Sequence, residues 1–327
     1  MRIFVTGASG FIGGAIARQL ASRHDVFAMS RSSASDASIE ALGAQAVRCD
    51  LTSLEPGVIP AVDAVVHAAA WVEPWGSRED YWHVNVDGTD RMLAAARGAD
   101  ARRFVHISTE AVLWKGQHLR DVDESHPYAD STPYLYAETK AEAERRVIAA
   151  NEGGDGLTTV ILRPRFVWGP GDRTIVPEAR TMIEKGVFAW IDGGRARTST
   201  THVANLVSAA ELALEKGRGG EVYFVTDDVE TDFRSFLTRL LAAEGIEAPD
   251  RVLPGWLLRP AAAILESVWR TLGIRSAPPL TRHAVDLICC DCTLRIDKAR
   301  SELGYVPLIT PDAGLEQLAA ARSSRPA

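Results

Sequence analysis

The chain has 327 residues, a net charge of -7 and a pI near 5.7, with 46% hydrophobic and 24% charged residues. That length accommodates one cofactor-sized domain and a smaller lobe with an ample core, and the acidic balance without a basic face argues against a nucleic-acid partner. An apolar strand begins at once, Arg2 to Val5, so no signal peptide is expected and the chain reads as cytoplasmic. Its four cysteines, Cys49, Cys289, Cys290 and Cys292, then read as reduced thiols, and ICCDC lacks the paired C-x-x-C spacing of a zinc site, so no metal is expected.

In chain order, RIFVTGASGFIGGAIARQL passes from a β-rich run through close-set glycines into a helical pattern. Gly7 and Gly10 permit a sharp turn and close approach to a phosphate, and Gly13 permits close helix-on-sheet packing. The helix start offers unpaired N–H groups to a pyrophosphate. With Ser9, Phe11 and Ile12 these glycines form the expected dinucleotide cradle. The second strand, Asp25 to Met29, runs into Ser30 and Arg31, where an acidic residue would accept from a ribose 2′-hydroxyl and an arginine would take a 2′-phosphate. Arg31 points to NADP(H), and Asp36 in the serine-rich loop keeps NAD open as the alternative.

The chain then alternates apolar strands with helical stretches: QAVRCDL, DAVVHAAA, RRFVHIST and LTTVILRP. Strands alternating with helices specify an α/β fold, a Rossmann-type doubly wound parallel sheet. Asp50 and Leu51 close the third strand and are placed to hold the adenine. Ala68, Ala69 and Ala70 are small enough for the cofactor to lie against the backbone, whereas His67 reads as a packed, hydrogen-bonded histidine rather than a ligand. In YLYAETK, Tyr136 and Lys140 stand one turn apart at the start of a helix expected over residues 137 to 150. A phenol is a poor acid or base at neutral pH, and a nearby ammonium favours its anion.

Taken in order, TGASGFIG, CDL, HAAA, NVDGT, STEAV, YAETK, RPRFVWGPGD and TSTTHVANL resemble the extended short-chain dehydrogenase/reductase family over most of the chain. The resemblance implies catalytic roles for Thr109, with Ser108 a second hydroxyl beside it, and for Tyr136, Lys140 and Asn85. It implies that Tyr136 protonates a carbonyl oxygen as hydride arrives from the nicotinamide, or runs the reverse, while Thr109 donates to that oxygen. Lys140 would lower the tyrosine pKa and bind the ribose hydroxyls. Tyr136, Lys140, Pro164, Phe166 and Val167 would contact the cofactor. Some relatives have lost the tyrosine or lysine and become dinucleotide sensors, but this chain keeps both.

Substrate class is read from the second half. Sugar-nucleotide epimerases of this family carry a phosphate-gripping arginine four residues before the histidine of the HV dipeptide, and here that position is Thr198. Trp71, Trp75, Trp114 and Trp168 fall in loops expected to rim the cofactor, where aromatic walls suit an apolar or ring-shaped substrate. Thr109, Glu110 and Thr198 join them as expected substrate contacts. The pattern looks most like the 3β-hydroxysteroid dehydrogenase branch, which includes 2-alkyl-3-oxoalkanoate reductases, and implies a 3β-hydroxysteroid or β-keto acid type of substrate. A nucleotide-sugar epimerase or dehydratase is the alternative, and no separate acid or base for isomerisation stands out.

Residues 1–168 are expected to build the cofactor domain, with 203–226 returning to it. Residues 169–201 and 227–327 would form a smaller C-terminal α+β substrate lobe. Within that lobe PGWLLRPAAAILESVWRTLG carries charges too closely spaced for a membrane span. It reads as a lobe helix or lid, with peripheral membrane contact as the second reading. The terminal SSRPA reads as a frayed tail, and the resemblance implies a homodimer.

Overall fold

The first strand, β1 (Arg2–Thr6), is apolar along its length because it is covered on both faces: Ile3 and Val5 pack into one layer and Phe4 into the other. The computed structural model describes residues 1–154 and 156–323, so most of the SSRPA tail lies outside the described residues. From β1 the chain runs through α1 (Phe11–Ala21), β2 (Asp25–Ser30), α2 (Ser33–Glu40), β3 (Gln45–Arg48) and β4 (Ala64–His67). It continues with α3 (Arg78–Trp82), a π-turn (His83–Asp87), α4 (Gly88–Gly98) and β5 (Arg103–Ile107). A 3-10 turn (Glu110–Leu113) and β6 (Leu119–Val122) precede α5 (Leu135–Glu152) and β7 (Thr158–Pro164).

The second half contains β8 (Val167–Trp168), α6 (Ile175–Glu184), β9 (Trp190–Ile191), β10 (Arg197–Ser199), β11 (Thr201–His202), α7 (Val203–Lys216) and β12 (Val222–Val225). These are followed by β13 (Glu230–Asp232), α8 (Phe233–Ala243), β14 (Val252–Leu253), α9 (Gly255–Thr271), α10 (Arg282–Cys289), β15 (Cys292–Leu294) and α11 (Pro311–Ser323).

Among the described residues seven parallel strands form the main sheet, in the order β12-β7-β5-β4-β1-β2-β3. Chain direction across the sheet reverses at β1, which has β4 on one side and β2 on the other. In an open α/β sheet the crevice at such a reversal, beyond the carboxyl ends of the strands, is where ligands bind. Helices α1 and α7 cover one face through Ile16, Leu20, Leu206 and Ala210. The opposite face is covered by α4 and α5 through Met92, Leu93 and Val147. The last strand, β12, pairs β7 from Val222 opposite Ile161 to Val225 opposite Pro164, so the second half of the chain closes the sheet edge.

The lobe has a four-stranded sheet, β13-β10-β15-β6. Its β6 comes from before residue 168, where a division drawn from sequence assigned it to the first domain. Leu119 pairs Cys292, an exchange that a four-residue strand does not announce. Trp168, Trp190, Phe233, Phe236 and Leu240 form the lobe core. Among the described residues no helix is long and apolar enough to cross a membrane. The amphipathic α9 buries Ala262 and Glu266 and exposes Trp256, Leu257, Ile264 and Val268.

Candidate active site

The turn between β1 and α1 is built for close approach. Gly7 has φ +73°, and a Cβ there would meet the backbone of Ala68 and Ala69 at 3.0 Å, so the turn rests directly on the end of β4. At Gly13 a Cβ would come within 2.4 Å of the Gly7 carbonyl oxygen. Helix α1 starts at Phe11 with Gly10 as its N-cap and no side-chain cap, leaving its first N–H groups for an anion. Phe11 packs near Gly171, and Arg173 donates to the Ser9 carbonyl at 2.9 Å, so the GPGD loop reaches over the turn. These residues fit a dinucleotide pyrophosphate. Ile12 packs against the core beside them.

Beneath the alanines lies a chain of satisfied polar groups. The Thr6 hydroxyl accepts from the backbone N–H groups of Ala68 and Ala69 at 3.1 and 3.0 Å, leaving its proton for Nδ1 of His67 at 2.8 Å. His67 Nε2 then faces Thr89, which donates to the Asn85 carbonyl at 2.7 Å. Burial drives the His67 pKa down to about 3, so this ring is a neutral structural member.

At the adenosine end Asp36 does fold back: it accepts from the Ser30 hydroxyl at 2.5 Å and pairs with Arg48. Arg31 is exposed; against the upward push of burial, the Asp50 carboxyl is held below its usual range by its Thr52 hydrogen bonds first and by the Arg31 charge after them. Asp50 accepts from Thr52 at 2.8 Å, while Leu51 is buried against Gly88 of α4.

The proton-transfer residues meet at the carboxyl end of β5. Thr109 caps the 3-10 turn, accepting from the Ala111 N–H at 3.2 Å and donating to Glu110 at 2.7 Å, and α5 packs against this turn so that Glu110 and Thr109 both act on the Tyr136 phenol. Its neighbour Ser108 donates to Glu144 at 2.6 Å, so the two adjacent hydroxyls are separated: one faces Tyr136, the other is locked into the structure. Helix α5 begins at Leu135, two residues before the expected start, which puts Tyr136 in its first turn.

Two sequence expectations change here. Lys140 donates to the Ile107 carbonyl at 2.8 Å and lies 3.2 Å from His106 Nε2, and burial lowers its pKa to about 8. The Tyr136 phenol is pushed up rather than down, first by burial and then by the charge of Glu110, against the opposing pull of its Thr109 hydrogen bond. The Lys140 ammonium is thus anchored on β5, one turn along α5 from Tyr136. Asn85 touches neither group: its side chain accepts from the Trp71 N–H at 2.6 Å and donates to Thr139 at 3.1 Å, tying the loop after β4 to α5.

On the substrate side, Arg165 pairs with Glu110, donates through Nε to Thr198 at 3.0 Å, and has its own N–H on Thr201 at 3.1 Å. Sequence reasoning missed this pair. The available signal was RPRF, two arginines at the end of a strand whose neighbours are all apolar, where charge must be paired. Thr198 thus serves Arg165.

The tryptophans divide. Trp71 stands edge-on to Tyr81, with ring centroids 6.5 Å apart. Trp75 donates to the Ile274 carbonyl at 3.1 Å under the Arg270 guanidinium, linking the loop after β4 to the end of α9. Trp114 stacks on Tyr134 at 4.9 Å, with His283 edge-on to both rings. Trp168 is a correction: it is fully enclosed in the lobe core, donating to Asp227 at 2.8 Å and packed on His202 and Phe236, because β8 turns its side chain away from the site. Phe166, at the unusual φ of +45°, likewise packs its ring on Phe233 and Phe236, so only its backbone is left to face a cofactor; Pro164 and Val167 flank it at the paired ends of β7 and β8. Among the described residues no group of His, Cys, Asp or Glu is placed to hold a metal ion, and all four cysteines are free.

The model of the 3-beta hydroxysteroid dehydrogenase/isomerase family matches residues 4–255. A 4-hydroxy-2-methyl-3-oxo-4-farnesyl-3,4-dihydroquinoline-1-oxide ketoreductase of Stigmatella aurantiaca is 44% identical over 97% of this chain and 96% of its own. A 2-alkyl-3-oxoalkanoate reductase of Stenotrophomonas maltophilia (strain K279a) is 35% identical over 99% of this chain and 100% of its own. Among solved structures, a dTDP-glucose 4,6-dehydratase from Streptomyces venezuelae with NAD and TYD bound superposes with a TM-score of 0.77 at 24% identity over 99% of this chain and 98% of its own, a likeness of fold.

Proposed function

The chain belongs to the 3-beta hydroxysteroid dehydrogenase/isomerase family and is an NAD(P)-dependent oxidoreductase of the extended short-chain type, and from that premise we propose that it reduces the ketone of an apolar, ring-bearing substrate. The observation that carries the reading is Tyr136, in the first turn of α5, held against Thr109 and Glu110 at the carboxyl end of β5, the same end of the parallel sheet as the glycine turn. The ketoreductase named for a farnesylated dihydroquinoline substrate, 44% identical, supports it.

The Gly7 to Gly13 turn and Ala68 to Ala70 would hold the dinucleotide, which would supply the hydride. Burial and Glu110 both disfavour the phenolate and so keep Tyr136 as the neutral phenol, the state that can protonate a new alkoxide. Thr109 orients the phenol. Lys140, anchored on Ile107 and His106, stands one turn behind Tyr136 as the donor toward the nicotinamide ribose. Asn85 and Thr139 fix the loop and helix that carry these groups. Tyr136→Phe tests the assignment: turnover is lost while dinucleotide affinity is kept, and retained turnover would refute it.

NADP(H) is the proposed cofactor. Arg31 is exposed beyond the end of β2, and Arg48 stands nearby in its pair with Asp36, which a 2′-phosphate would have to displace. KM values for NADPH and NADH decide it, a clear NADH preference overturning the assignment. The face of α9 carrying Trp256, Leu257 and Ile264 is proposed as the place where the lobe meets a lipid surface holding an apolar substrate.

A further inference from the structure

Resting on the reductase reading, we propose that the Glu110–Arg165 pair is a charge filter, by which this site accepts uncharged ketones and turns away 3-oxo carboxylates. Both side chains are over nine-tenths enclosed, 5% exposed for Arg165 and 8% for Glu110, and they meet directly beside Thr109. A buried guanidinium next to a ketone-binding hydroxyl is a ready carboxylate clamp, since its fork matches two oxygens. Here that clamp is already filled. Glu110 takes one terminal nitrogen, and Thr198 takes Nε.

A 3-oxo acid carries its carboxylate one carbon from the ketone. With the ketone oxygen at Tyr136 and Thr109, its charge arrives next to Glu110, whose own charge is already felt at the phenol. Two carboxylates cannot both stay ionised in so enclosed a place without a second cation. The other positive group at hand, Lys140, is held by Ile107 and His106. His283, the ring nearest the pair on the lobe side, is lowered by burial and is neutral at pH 7. The filter separates this chain from an activity such as 3-oxoalkanoate reduction, although both use one acid.

The experiment compares 3-oxodecanoate with its methyl ester as substrates of the full chain with NADPH, for wild type, Glu110→Gln and Glu110→Ala. Wild type is expected to favour the ester by about 30-fold or more in kcat/KM, and both variants to shrink that ratio by about 10-fold, mainly through KM for the acid. A second measurement does not need turnover. Decanoate, against chloride at equal ionic strength, should raise the melting temperature of Glu110→Ala by roughly 2 °C or more, and that of wild type by less, because the vacated guanidinium takes the carboxylate. If the ester is reduced but neither ratio nor melting shift moves in the variants, the filter is overturned and the reductase reading stands. If wild type reduces neither compound nor an apolar ring ketone with NADPH, the reductase reading falls and the filter with it, even where the melting shift shows that the vacated guanidinium binds a carboxylate.

Discussion

Two buried glutamate–arginine pairs lie within a few ångströms of chain from each other, at Arg163 and Arg165, and their surroundings differ. Glu144 accepts from Arg163, from Ser108 at 2.6 Å and from Tyr128 at 2.7 Å, so its oxygens are saturated by β7, β5 and the loop before α5. The Arg163 guanidinium also lies over the rings of Tyr128 and Phe224. Glu110 has fewer donors, Arg165 and Thr109, and one of those stands beside the phenol. The first pair is a lock in the fold, and the second adjoins the Thr109 hydroxyl next to the phenol. A single strand end thus carries one charge pair whose loss should be read in stability and one whose loss should be read in specificity.

The largest expected effect falls on the Glu110 side. Tyr136→Phe removes the proton donor and should lower kcat by about 100- to 10,000-fold, with thermal stability close to wild type, measured by NADPH oxidation and by a melting curve. A variant that still turns over at a tenth of the wild-type rate would make Tyr136 a wall residue. On the other side, Glu144→Ala leaves Arg163 buried and unpaired and should cost about 3–5 kcal/mol in urea unfolding. It should leave the preference between charged and uncharged ketones as it was. A change in that preference would erase the distinction between the two pairs.

Much of the cofactor half was legible because its signals are local. Gly7, Gly10 and Gly13 are spaced by the turn they make, and apolar runs such as AVVH follow from cover on both faces. The polar assembly was not, because its members are distant in sequence: Glu110 and Arg165 are 55 residues apart, and Thr198 is 33 beyond Arg165. Trp168 misled for a related reason. Its place after a strand suggested a rim, while its direction was decided by pairing of β8 with β11, a contact between residues 34 apart that no local pattern encodes. Lys140 was read from its spacing to Tyr136, yet its partners Ile107 and His106 come from β5.

A smaller effect is expected from pH. Lys140 titrates near 8 in this fold and near its ordinary 10.5 when unfolded, so between those values the unfolded chain binds more protons than the folded one. Stability should therefore rise with pH through this window, by up to roughly 2 kcal/mol, until unfolded tyrosine begins to lose its proton above pH ~10, where the raised Tyr136 pKa works in the opposite sense. Lys140→Met should flatten the rise in urea unfolding between pH 8 and 10. An unchanged slope would place the titration elsewhere.

The smallest effect on the fold belongs to α9. Trp256 is 73% exposed and Ile264 64%, so Trp256→Ser and Ile264→Ser should change stability by no more than about 0.5 kcal/mol, unlike any change at the two charge pairs. Their effect should appear in binding to vesicles. Residues 255–282 carry four arginines and one glutamate in a chain of net charge -7, and Arg282 pairs with that glutamate while Arg259 pairs with Asp286. Arg270, lying over the Trp75 ring, and Arg275, facing Asp80, remain exposed beside the apolar face, where anionic lipid would meet them. Co-sedimentation with vesicles containing phosphatidylserine should be lost in the double serine variant and weakened by salt. Wild-type protein that stays in the supernatant at low salt would return α9 to the role of a lobe helix alone.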